Sequence, residues 1–87
     1  MTITMNIDSN KVTTNEAQDI LLACERIWWH LMACRTETVR TKYSIEFKAD
    51  IPAIEQIPVL KAYNAGLNRL HAWTRDEDLV GMTWELG

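Results

Sequence analysis

The chain has 87 residues, of which 47% are hydrophobic and 24% charged, with a formal net charge of −3, three glycines and two prolines. That length makes one domain, residues 1–87, and the composition is that of a globular chain rather than a linker, a disordered tail or a repeat array. A mildly acidic balance runs against a dedicated nucleic-acid binder, and two cysteines do not make a disulfide framework.

The opening MTITMNIDSN has no basic n-region and no apolar h-region, so no signal peptide is expected. With no apolar run near ~18 residues, no membrane span is expected, and the default location is the cytoplasm. Within the opening, residues 2–7 alternate polar and apolar, with Ile3, Met5 and Ile7 on one side, which predicts a strand. DSNK follows as turn chemistry.

Thr13 and Glu16 have the spacing of a capping box, in which a hydroxyl and a carboxylate satisfy the first orphan amides of a helix. The predicted helix runs from Thr14 to about Arg35. Its apolar stripe is Ala17, Ile20, Leu21, Cys24, Ile27, Trp28, Leu31 and Cys34. At ~100° per residue, the adjacent Trp28 and Trp29 cannot both face one core. Trp28 falls in the stripe, whereas Trp29 lies nearly opposite its centre. Leu22, Trp29, Met32 and Ala33 then make a second apolar strip, flanked by Glu25 and Arg26. One use of such a strip is contact with a partner protein or a second copy; the other is cover from the C-terminal segment, through Trp73 or Trp84.

Val39, Thr41, Tyr43, Ile45 and Phe47 alternate with Arg40, Lys42, Ser44, Glu46 and Lys48, which predicts one strand over residues 36–49; with no glycine or proline before it, continuation of the preceding helix is the alternative. Its polar face would carry Arg40, Lys42 and Lys48, with Arg35 just before it. Those four are candidate contacts for a phosphate or another acidic ligand. Glu46 interrupts the face and no aromatic is interleaved, so a platform for stacked bases is absent.

Pro52 suits a first helical turn after Asp50, while Pro58 would kink a continuing helix or restart one. Leu60, Tyr63, Leu67 and Leu70 form a stripe from Pro58 to Trp73, and Gly66 within it marks a close helix approach. Thr74 and Glu77 repeat the capping-box spacing for one short turn. Val80, Met82, Trp84 and Leu86 alternate in a last strand.

The expected fold is α+β in the order β-α-β-α-β, with two helices on one face of a three-stranded sheet. An antiparallel helical hairpin with irregular or strand-like termini is the competing architecture. No metal, cofactor or catalytic set is expected. Cys24 and Cys34 are separated by ~15 Å of helix, too far for a disulfide. His30 with Cys34 at i, i+4 would need ligands from elsewhere, and His71 is the only other histidine. A Cys–His nucleophile would have to use a thiol on the apolar stripe, where burial suppresses reactivity. Asp76, Glu77 and Asp78 read as a solvated turn.

The function expected is therefore protein–protein contact by a small non-enzymatic inhibitor, adaptor or regulator, able to pair with itself as a homodimer. Small phage or mobile-element inhibitors, including anti-defence and anti-CRISPR proteins and toxin-neutralising partners, have this general character. That comparison is one of size and style. A nucleic-acid-contacting regulator using the basic sheet face is the alternative, and a Cys–His enzyme the remote one.

Overall fold

The computed structural model describes residues 1–32 and 36–87. Six elements follow one another: β1 (Thr2–Ile7), α1 (Thr14–Leu31), β2 (Thr36–Arg40), β3 (Ser44–Ala49), α2 (Ala53–Thr74) and β4 (Val80–Glu85). The strands form one antiparallel sheet in the order β2-β3-β1-β4. This β-α-β-β-α-β connectivity is the split β-α-β, or ferredoxin-like, arrangement.

The α+β class and the two helices match expectation, whereas the number of strands does not. The single strand expected over residues 36–49 is a hairpin, turned at residues 41–43. Thr41 N–H donates to Ser44 O at 2.9 Å and the two hydroxyls lie 2.6 Å apart. The turn also reverses the parity of the alternation. In the register, Thr38 opposes Phe47 and Arg40 opposes Ile45, so even residues of β2 share a face with odd residues of β3.

One face of the sheet is apolar. Ile3 and Met5 of β1 and Ile45 and Phe47 of β3 are fully buried there. Trp28 of α1 stacks on Phe47 with ring centroids 5.0 Å apart and a 17° interplanar angle. Tyr63 of α2 meets the same two rings edge-on, at 5.6 and 5.9 Å. Both helices thus cover the Phe47 face. Offset and edge-to-face pairs of this kind contribute ~0.5–1.5 kcal/mol each beyond the area they bury.

The polar tips of these aromatic residues are also satisfied. Trp28 Nε1 donates to Thr36 Oγ1 at 2.8 Å, and Tyr63 Oη donates to the Cys24 carbonyl at 3.1 Å. Those two bonds tie α1 to β2 and to α2.

The capping box forms as its spacing predicts. Glu16 N–H donates to Thr13 Oγ1 at 3.2 Å, and Thr13 N–H donates to Glu16 Oε1 at 3.1 Å. Helix α1 ends at Leu31, earlier than expected. Ala33, Cys34 and Arg35 lie outside the described residues.

Helix α2 begins after Pro52 and runs through Pro58 without a break, so Asp50 does not cap it. Proline has no N–H to give the Ile54 carbonyl, and Ile54 is exposed to water. Thr74 ends this helix instead of capping another: its hydroxyl donates back to His71 O at 3.2 Å, and Arg75 closes the helix with φ 58°.

Candidate functional site

The two helices pack closely enough to leave a shallow groove along their solvent side. Gly66 of α2 faces Ile27 of α1, and a Cβ built on Gly66 would lie 2.6 Å from Ile27 Cγ2. Only a residue without a side chain permits that approach. The helices run antiparallel: Asp19 and Ile20 lie beside Trp73, while Ile27 meets Gly66 and Trp28 meets Tyr63. Ala23 and Ile27 of α1 and Ala62, Ala65, Gly66 and Leu70 of α2 line the apolar part of a groove of about 720 Å³ between them. Its rim carries Leu22, Arg26, His30 and Leu31 from α1 and Arg69 and Trp73 from α2, with Asp19 at one end.

Among the residues expected from helical spacing to form the contact strip, Leu22, Arg26 and Trp29 stand on the solvent face of α1. Leu22 is 39% and Trp29 45% exposed, and Arg26 lies between them. Glu25 and Met32 depart from expectation. Glu25 turns toward the sheet and forms an ion pair with Arg40. Met32, the C-cap of α1, packs against the core. Ala33 lies outside the described residues.

The C-terminal segment does not cover the Trp29 strip. Trp73 is 64% exposed at the far end of the groove, and Trp84 is 50% exposed on β4, at the sheet edge opposite β2. The solvent face of α1 is steadied from the other side by the β2–β3 turn. Gln18 Nε2 donates to the Thr41 and Lys42 carbonyls at 3.3 and 2.9 Å, and Thr14 Oγ1 lies 3.2 Å from Tyr43 Oη.

The structure separates the residues proposed for a phosphate contact. Because the hairpin inverts parity, Arg40 points to the helix side, where Glu25 neutralises it. Lys48 stands on the opposite, open face, 3.7 Å from Glu46. Lys42 sits in the turn, and Arg35 lies outside the described residues. On the open face, Glu37, Glu46 and Glu85 outnumber Lys48, so that surface repels rather than attracts phosphate.

Cys24 is fully buried, and burial pushes its thiol up to about 12. The neighbouring Tyr63 hydroxyl is pushed upward too, first by burial and then by Cys24. Among the described residues no three His, Cys, Asp or Glu side chains converge to hold a metal. Among the described residues no helix is long and apolar enough to cross a membrane.

Arg69 and the small residues of α2 were not in the expected contact set, Leu31, expected in the core stripe, is 39% exposed on the groove, and Trp73 lines it without covering Trp29. The signal was present in Ala62, Ala65 and Gly66, which share one side of α2 at helical spacing. Comparison with known proteins found no family model, no curated protein and no solved structure that matches the chain.

Proposed function

We propose that the protein is a small, non-catalytic, cytoplasmic module that acts by protein–protein contact as an inhibitor, adaptor or regulator. Its contact face is the solvent side of the helical layer. A single exposed leucine on a monomer means little, but an aromatic and aliphatic cluster with a charged rim marks a binding surface. The observation that carries this reading is the exposure of Leu22 and Trp29 on either side of Arg26, beside a groove that ends in exposed Trp73. The helices beneath are held by the Trp28–Phe47–Tyr63 cluster, so the face is presented by rigid elements.

The test compares wild type with Trp29→Glu by solution mass, circular dichroism and affinity capture from the native host. The expected result is a stoichiometric partner, another protein or a second copy, that the wild type retains and the folded variant loses. A wild type that stays monomeric and retains nothing, or a Trp29→Glu chain that unfolds, overturns the reading.

A further inference from the structure

We infer that the groove between α1 and α2 receives an acidic amphipathic helix of a partner protein. The inference rests on the reading of the helical layer as a contact face and names what that face would bind.

Two features set the occupant. Along the groove, Ala23 and Ile27 of α1 and Ala62, Ala65 and Leu70 of α2 present small and aliphatic side chains on which a third helix can pack. From Asp19 to Leu31 the groove follows α1 for ~18 Å, the length of a helix of roughly twelve residues. The second feature is charge. Arg26 of α1 and Arg69 of α2 both line the groove and are exposed, and like Lys42, Lys61 and Arg75 they have no ion-pair partner among the described residues. Two guanidinium groups lining one groove, one from each helix, match carboxylates flanking an apolar stripe. Among the described residues Asp19 is the one carboxylate lining the groove, at its Trp73 end.

The same arginines disfavour a second copy seated groove to groove. A twofold contact is self-complementary, so it would gather four arginines, Arg26 and Arg69 of both chains, against the two Asp19 carboxylates.

The experiment uses the ¹⁵N-labelled full chain and two synthetic helical peptides. Both carry leucines at i, i+3, i+4 and i+7; one has glutamates and the other lysines at the remaining positions. The chain's net charge of −3 favours the lysine peptide at long range, so a preference for the glutamate peptide reports the local arginines. The expected result is that the glutamate peptide shifts the amides of Ile27, Ala62, Ala65 and Gly66. It should bind about tenfold more tightly than the lysine peptide, and Arg26→Glu with Arg69→Glu should reverse that order. Equal binding of the two peptides, no shift with either, or shifts outside the groove overturns the acidic-helix occupant. Groove shifts that grow with protein concentration alone do so too, by making the occupant a second copy. In each of those cases the Trp29→Glu comparison still decides the contact face independently.

Discussion

Replacing Gly66 with alanine tests the helix–helix contact that shapes the groove. On an open helix this change would stabilise by about 1 kcal/mol, because glycine is the poorest helix former after proline. Here the new Cβ would lie 2.6 Å from Ile27 Cγ2, well inside the 3.4 Å at which ordinary contact begins. Ile27 cannot easily yield, since a β-branched side chain within a helix is nearly confined to one χ1 rotamer. Overpacking of this kind costs ~1–3 kcal/mol. The net expectation is a loss of about 1 kcal/mol. In an Ile27→Ala background the obstruction is gone, and the same Gly66→Ala change should stabilise by up to ~1 kcal/mol. The coupling between the two sites is therefore about 2 kcal/mol, readable as midpoint shifts across four urea-denaturation curves. If Gly66→Ala stabilises the wild-type chain as much as the Ile27→Ala chain, the helices do not meet at this point.

Trp28→Ala should cost ~3–5 kcal/mol by emptying the space against Phe47 and Tyr63, whereas Trp29→Ala should stay within about 1 kcal/mol; thermal melts of the two variants separate them. In a Cys34→Ser background, Cys24 should resist a disulfide reagent in native buffer and react only as the chain unfolds. Rapid native labelling would reopen nucleophilic chemistry. Acid should destabilise the fold through Asp76 and Glu16. Asp76 is held below the usual carboxylate range, first by the side-chain hydrogen bond from Lys11, 3.0 Å away, and Glu16 by the bond from the Thr13 backbone. Both folded values are depressed, so their contribution is present above the ordinary ~3.9 and ~4.3 and is lost as pH falls through the folded values. Urea midpoints should hold steady from about pH 5.5 to 8 and decline below about pH 4, with part of the decline absent in Asp76→Asn.

What the sequence disclosed is what depends on local periodicity. Ile3, Met5 and Ile7 alternate because one side of β1 is buried, and Thr13 with Glu16 acts entirely within one helical turn. The different positions of Trp28 and Trp29 follow from helix geometry alone. The hairpin was hidden because its turn, Thr41 to Tyr43, contains no glycine, proline or Asn-Gly pair. The apolar and polar residues also keep alternating straight through it. The consequence was large: an inverted parity sent Arg40 to Glu25 and left Lys48 among carboxylates on the other face. In a helical projection Met32 belongs to the exposed strip and Glu25 flanks it, but the arrival of β2 beside α1 takes Glu25, and the end of the helix folds Met32 inward. The groove is tertiary from the outset. Nothing in α2 by itself says that its small side turns to α1, and its two arginine-bearing walls come from residues 43 positions apart in the chain, Arg26 and Arg69.

The most direct measurement of the contact face is photo-crosslinking from defined positions in the native host. A photoreactive phenylalanine analogue would replace Trp29 on the helical layer in one variant and Thr83 on the open sheet face in another. The account predicts a discrete adduct from position 29 and none from position 83. An adduct from position 83 with none from position 29 would contradict it.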